Sequence, residues 1–241
     1  VATFAPALII FDKDGTLIDV HTMWGGWATE LARRLEAASG LPIAESLFNL
    51  LGFDPLRGRV APEGHLALTP APELQALIID LLRGAGLSRQ AAEAALAAGW
   101  HTPDPVALAR PIADLKALFK TIRAHGAKIA VATADDRPLT EAILAGLGVN
   151  SLVAALACAD DGLPLKPAPD MVLHLCRQLD VPPARTAVVG DHVVDLQMGH
   201  AAGAGLVIGV SSGLSAASDL AVYADLVLSS VEELPATFGY H

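Results

Sequence analysis

Cysteine is scarce, with two residues, Cys158 and Cys176, in a chain of 241. Their positions make neither a spaced metal motif nor a disulfide framework, so both thiols are expected to be buried and a reducing, cytoplasmic compartment is the expected location. Positive charge is scarce too. Sixteen Lys and Arg stand against 26 Asp and Glu, a formal net charge of −10, and no Lys/Arg cluster stands out. Nucleic acids and anionic membranes are normally met by basic patches, so neither is an expected partner. Long apolar runs are also missing. Although 53% of the residues are hydrophobic, Ala swells that figure, and Gly, Pro, Asn or a charge breaks every aliphatic run before about 18 residues. No membrane span is expected. Ahead of Leu8 there is no signal-peptide pattern, because the first apolar run, Ala7 to Phe11, is short and leads directly into Asp12-Lys13-Asp14-Gly15. The chain begins at Val1, so processing or trimming of an initiator Met is expected. Internal repeats and low-complexity linkers are absent, apart from a Ser/Gly/Ala-rich loop at 211–218.

What is present falls into three stretches. Leu8-Ile9-Ile10-Phe11 is a continuous apolar run closed by a Gly-containing turn, the pattern of a strand buried on both faces. From about 20 to 109 the spacing is helical: Trp24, Trp27, Leu31 and Leu35 share one face, followed by Leu74, Leu77, Ile78, Leu81 and Leu82 and by the Ala-rich stretch after Ser88. A turn-rich loop from Gly52 to Pro72, with Pro55, Gly58, Pro62, Gly64 and Pro70, separates these helices; loops of that length are functional or disordered. From Pro111 onward helices and short apolar runs alternate. The helices span 112–125, 137–147, 169–179 and 193–202, and the strands 128–133, 152–156, 186–190, 206–210 and 226–228. Alternating βα units predict a doubly wound, Rossmann-like parallel sheet covered by helices. The first strand needs this later section to complete its sheet. Residues 1–19 and 110–241 therefore form the expected α/β core, and 20–109 an inserted all-helical domain.

Ligands of open parallel sheets bind beyond the carboxyl ends of the strands. The residues there are Asp12 and Asp14 after the first run, Thr133 after the second, and Asp191 with Asp195 after Val188-Val189-Gly190, while Lys166 opens a loop before another helix. Asp191 and Asp195 are four apart, so a helix starting near His192 carries both at its mouth. Four carboxylates, a hydroxyl and an ammonium are expected at one rim. Crowded carboxylates repel, and a hard divalent cation relieves them; an oxygen-only shell with room for water and phosphate suits Mg²⁺. With the charge partly neutralised, an Asp can attack phosphorus and form an aspartyl-phosphate. Lys166 would orient the nucleophile, Thr133 would donate to a phosphoryl oxygen, and Asp14 would exchange the proton.

Phe11-Asp12-Lys13-Asp14-Gly15-Thr16-Leu17, Thr133, Lys166-Pro167 and Gly190-Asp191-x-x-x-Asp195 resemble, in order, the four motifs of the haloacid dehalogenase superfamily in its phosphatase branch. The likeness spans Phe11 to about Gly203. A helical insertion directly after the first motif, with Lys166-Pro167-Ala168-Pro169-Asp170, is similar to the capped subgroup of phosphoglycolate phosphatases, other small-metabolite phosphatases and β-phosphoglucomutases. The resemblance implies that Asp12 is nucleophile and Mg²⁺ ligand, that Asp14 is the acid/base with its backbone carbonyl on the metal, and that Asp191 is a further ligand. It makes Asp195 a second acidic residue that binds the metal or orients what does. Two positions depart from the pattern: Ala134 replaces a frequent Asn, leaving only its backbone N–H for phosphate, and His192 replaces a frequent small hydroxyl residue.

Each feature taken singly also has a structural reading. Asp-x-Asp-Gly can be a turn that caps its own backbone, Lys166 a solvated lysine, Thr133 a strand end, and Asp195 a helix-dipole partner. His192 is read as a rim histidine, since Mg²⁺ prefers oxygen. Trp24, Trp27 and Trp100 fall within the insertion at core-packing spacing, whereas His21 and Trp24, nearest the first motif, are candidates to face the cleft. Arg57, Arg59 and His65 are surface residues or substrate contacts. The expected activity is Mg²⁺-dependent hydrolysis of a small phosphorylated metabolite, such as phosphoglycolate or a sugar phosphate. A phosphomutase on the same core and a non-catalytic metabolite-binding protein are the alternatives.

Overall fold

The computed structural model of the chain describes residues 4–61, 64–69, 71–102 and 104–240. It divides into two compact units, one made of residues up to Asp19 together with those from Pro105 onward, the other of Val20–Asp104. The first unit opens with β1 (Leu8–Phe11), whose four residues are all buried. The second then carries α1 (Val20–Ser39), α2 (Ala44–Leu51), β2 (Phe53–Asp54), β3 (Arg59–Val60), α3 (His65–Leu68), α4 (Ala71–Gly84) and α5 (Arg89–Gly99). The first unit resumes with α6 (Pro105–Leu108), α7 (Leu115–Ala124), β4 (Lys128–Ala132), α8 (Arg137–Gly146), β5 (Ala155–Ala157) and α9 (Asp170–Gln178). It closes with β6 (Thr186–Gly190), α10 (Val193–Ala201), β7 (Leu206–Val210), α11 (Ala217–Leu220), β8 (Leu226–Leu228) and α12 (Leu234–Thr237).

The large sheet has the order β5-β4-β1-β6-β7-β8, and each adjacent pair runs parallel. A parallel sheet needs crossover helices on its faces, which explains why its strands read as unbroken apolar runs rather than alternating ones. Successive side chains point to opposite faces. Leu8 and Ile10 pack with Ala130, Ala132, Val188 and, from the helices, Met171, Leu175 and Met198. Phe11 lies on the other face and meets the ring of Phe119 on α7 at 5.5 Å. Helix starts are set locally: Asp114 accepts from the N–H of Ala117 to cap α7, and Ser88 accepts from that of Ala91 to cap α5.

In the second unit Trp27 meets Trp24 and Trp100 edge to face, at 6.1 and 5.4 Å, and its indole N–H donates to His101 O. The tryptophans are thus packing groups there. This unit is not all-helical, contrary to expectation. Phe53 pairs with Val60 and Asp54 with Arg59 in an antiparallel hairpin inside the segment expected to be one turn-rich loop, and α3 and the start of α4 occupy more of it; Pro62 and Pro70 lie outside the described residues. Two-residue strands are too short for a period-two pattern to register. Other boundaries moved as well. The sheet strand begins at Ala155 rather than 152, because Asn150–Leu152 forms a 3₁₀ turn, and α7 begins at Leu115 behind its Asp114 cap rather than at 112. The second crossing between units falls at 104/105 rather than 109/110, since α6 packs on α8.

Candidate active site

The strand order reverses between β1 and β6, which is where an open α/β sheet forms its ligand crevice. Asp12 follows β1 and Asp191 follows β6. The backbone N–H of Asp12 still donates to Val189 O at 2.8 Å, so this residue is fixed to the sheet's end. The chain then turns back, with the N–H groups of Leu17 and Ile18 both donating to Lys13 O. Gly15 takes φ +85° in that turn, and a Cβ there would stand 2.3 Å from Asp191 Oδ2; one at Gly213 would stand 2.0 Å from the same atom. Glycine at both positions lets two backbones close on one carboxylate.

Asp191 is buried and held from two sides, Oδ2 accepting from Leu214 N at 2.8 Å and Oδ1 from Thr16 Oγ1 at 3.3 Å. Ser212 Oγ donates to Gly15 O at 2.8 Å and ties the loop after β7 to the first-motif turn. Asp195 stands in the first turn of α10, where its Oδ2 accepts from His192 N at 3.1 Å. His192 Nδ1 accepts from Val194 N, so the histidine caps the helix instead of joining the carboxylates.

Asp12, Asp191 and Asp195 each bring a carboxylate oxygen within 4.8 Å of the others. Into this group comes Lys166, its Nζ 2.5 Å from Asp12 Oδ1 and 2.7 Å from Asp195 Oδ1, with 7% of its side chain accessible. The second contact is an ion pair that seats the buried Asp195 Oδ1 against the ammonium. Three carboxylates against one ammonium leave two negative charges in a largely buried space. Burial first, then repulsion from Asp12 and Asp195, pushes Asp191 well above the usual carboxylate range. Asp195 is also raised, by burial and less by Asp12, against the pull of Lys166. Burial disfavours the Lys166 ammonium, but Asp12 and Asp195 outweigh it and hold its pKa above the ordinary lysine value. An all-oxygen donor set with two uncompensated charges fits a hard divalent cation.

The Asp14 carboxylate stands apart from this group. It pairs instead with the buried Lys13, whose Nζ lies 2.5 Å from Asp14 Oδ2 and 2.9 Å from Asp135 Oδ2. Burial, reinforced by Asp135 and Asp12 and opposed by Lys13, pushes Asp14 up to about 6. Thr133 is buried just past β4; its N–H donates to Ala157 O and its Oγ1 accepts from Asp135 N, while Ala134 beside it is exposed. Sequence reasoning gave no role to Lys13, to Thr16 or to the 212–214 loop, and it did not single out Asp135. Lys13 carried a signal, a lysine two residues past an apolar buried strand. The loop carried only its place just after a sheet strand.

Within the second unit, His21 is buried and its Nδ1 accepts from the N–H of Val60, so the ring fastens α1 to the hairpin. Trp24 is half-buried against Trp27. Arg57 is exposed and pairs with Asp54 at 3.1 Å across the hairpin turn, and Arg59 is also exposed.

A family model described as "haloacid dehalogenase-like hydrolase" matches residues 6–203. Among curated proteins, the chain is 31% identical over 241 residues to the protein CbbY of Cereibacter sphaeroides, covering 96% of this chain and 95% of that one. It is 30% identical over 122 residues to a plasmid-encoded phosphoglycolate phosphatase of Cupriavidus necator, a match spanning 51% of this chain and about half (53%) of that protein's length. Among solved structures, a hydrolase of the same family from Deinococcus radiodurans, with bound phosphate and sodium, superposes with a TM-score of 0.63 at 22% identity, covering 98% of this chain and 96% of that one.

Proposed function

The chain belongs to the haloacid dehalogenase-like hydrolases, and from that premise we propose that it is a Mg²⁺-dependent phosphatase that hydrolyses a small phosphorylated metabolite through an aspartyl-phosphate on Asp12. One observation carries this reading: Asp12, Asp191 and Asp195 crowd within 4.8 Å around the Lys166 ammonium, an arrangement that suits a cation-bound phosphoryl group and has little purpose as a fold-stabilising device. Removing either sign from a buried set leaves charge uncompensated, whereas an apolar set of the same volume would be at least as stable.

Asp12, Asp191 and Asp195 would hold Mg²⁺ together with the backbone carbonyl of Asp14, and the bound ion would offset the negative charge of the phosphoryl oxygens. Asp12 attacks phosphorus, the Asp12–phosphorus bond forms as the ester P–O bond breaks, and the leaving oxygen takes a proton from Asp14. Asp14, now ionised, takes a proton from water, whose oxygen bonds to phosphorus as the Asp12–phosphorus bond breaks. Inorganic phosphate leaves. Lys166, anchored to Asp12 Oδ1, fixes the direction of attack, and the Thr133 hydroxyl and the Ala134 N–H donate to the transferring group. Phosphoglycolate phosphatase in Cupriavidus necator, N-acetylmuramic acid 6-phosphate phosphatase in Pseudomonas aeruginosa and fructose-1-phosphate phosphatase in Escherichia coli are similar to this chain, which supports a small phosphate ester as substrate. Exposed Arg57 and Arg59 on the hairpin are the groups of the second unit proposed to select it, whereas buried His21 and packed Trp24 serve that unit's own interior.

A panel of phosphorylated acids and sugars, assayed for phosphate release with Mg²⁺ and with a chelator, tests the reading. Release that requires Mg²⁺ is expected for at least one alkyl phosphate. No release from any of them, or release indifferent to chelation, would overturn it; conversion to an isomeric sugar phosphate in place of release would assign the same core to a phosphomutase.

A further inference from the structure

Lys13 has 1% of its side chain accessible and sits between the two aspartates of the first motif, yet it faces neither the carboxylate group nor solvent. Its ammonium bridges Asp14 Oδ2 at 2.5 Å and Asp135 Oδ2 at 2.9 Å. Asp135 belongs to the loop after β4, and its own N–H is held by Thr133 Oγ1 at 3.2 Å while its carbonyl accepts from Ala159 N at 3.0 Å. The anchor is therefore itself fixed. One Asp14 oxygen is taken by Lys13, and the other, Oδ1, is buried with no hydrogen-bond partner among the described residues. A buried, unsatisfied carboxylate oxygen costs free energy unless something else engages it. A lysine buried at a strand end is likewise a poor choice for stability alone, since an apolar side chain of similar volume would pack there without desolvating a charge.

We propose that Lys13 and Asp135 form a positioning clamp that holds the Asp14 carboxylate by Oδ2 and fixes its place for proton transfer to the ester oxygen of the substrate. Lys13 touches no reacting atom in this arrangement; it acts through Asp14, and Asp135 acts through Lys13. The inference rests on the phosphatase reading above and adds to it a determinant of how well the leaving group is protonated. A clamp of this kind matters in proportion to the leaving group's need for a proton: alkyl phosphates depend on it, and aryl phosphates with acidic phenols scarcely do.

The test is steady-state kinetics on one alkyl phosphate that the wild type hydrolyses and on p-nitrophenyl phosphate, with Mg²⁺, for Lys13→Met, Asp135→Asn and the double variant. Lys13→Met should lower kcat for the alkyl ester by about 10- to 100-fold with little change in KM, and affect the aryl ester by no more than about threefold. Asp135→Asn should shift the same ratio in the same direction by about 3- to 10-fold, and the double variant should be no worse than Lys13→Met alone, since the two act in series. Equal losses on both esters, or losses that multiply in the double variant, would overturn the clamp. Should Lys13→Met not fold, Asp135→Asn, altered at a side chain that is 37% accessible, decides by the same alkyl-to-aryl ratio. If the wild type hydrolyses neither ester, the phosphatase reading itself has failed and the clamp falls with it; an active wild type with an unchanged ratio in the variants removes the clamp alone.

Discussion

Residue by residue, the site is a set of charges that makes sense only in combination. Asp12 supplies the attacking oxygen, one charge of the cation site and one partner of Lys166. Asp12→Asn keeps the side chain's volume at the end of β1 and opens no cavity, so the far-ultraviolet circular dichroism should be unchanged while turnover falls to less than about 1% of wild type. Several per cent of residual turnover would remove Asp12 as nucleophile. Asp14→Asn keeps the backbone carbonyl and removes proton exchange. Its loss should be larger for alkyl than for aryl phosphates, and it should exceed that of Lys13→Met, because deleting the acid costs more than misaligning it.

At the scale of the element, a pair of adjacent glycines in α1 shows how the second unit is built. A Cβ on Gly25 would stand 2.6 Å from the ring of Phe53 in β2, itself braced edge to face by Phe48 at 5.4 Å, whereas one on Gly26 would meet none of the described residues within 4 Å. Alanine is the better helix former by about 1 kcal/mol. Gly26→Ala should therefore stabilise the protein by up to about 1 kcal/mol, and Gly25→Ala, forced against the Phe53 ring, should destabilise it by about 1–3 kcal/mol. Denaturant titration of the two variants reads both signs; a common sign would mean that the hairpin is not packed on α1 in this way. The hairpin also marks the limit of what the sequence displays. Strands such as Leu8–Phe11 and Thr186–Gly190 were legible because burial on both faces writes an uninterrupted apolar run. The motif residues Asp12, Lys166, Asp191 and Asp195 were legible because each follows such a run or opens a loop beside one. Phe53–Asp54 and Arg59–Val60 are too short for any period, and their stability comes from contacts with α1 and α2 that no local window contains. The same holds for the grip of Leu214 and Thr16 on Asp191, which depends on residues far apart in the chain.

For the whole molecule, the central expectation is that stability and catalysis share the cation. Without a divalent ion, Asp191 and Asp195 carry raised pKa values, so the folded state takes up protons that the unfolded chain does not. Stability of the chelated protein should then increase as the pH falls through those raised values and stop increasing near the ordinary carboxylate value of the unfolded chain. Bound Mg²⁺ would replace those protons. At about 100 times its dissociation constant it should add about 2.7 kcal/mol, a rise in Tm of about 5–10 °C for a chain of this size. The rise should shrink on acidification, as protons compete for Asp191 and Asp195, and should be lost in Asp191→Asn. A Tm shift that persists in Asp191→Asn would move the cation elsewhere. The claim that joins these observations is that phosphorus passes through Asp12 on its way to water. The stereochemical course at phosphorus tests this most directly, with a phosphorothioate ester made chiral at phosphorus by ¹⁶O and ¹⁸O and hydrolysed in ¹⁷O-labelled water in the presence of Mg²⁺, so that the inorganic thiophosphate released is itself chiral. Two successive in-line displacements, one by Asp12 and one by water, predict retention of configuration; inversion would show that water attacks the ester in a single step and would contradict the account.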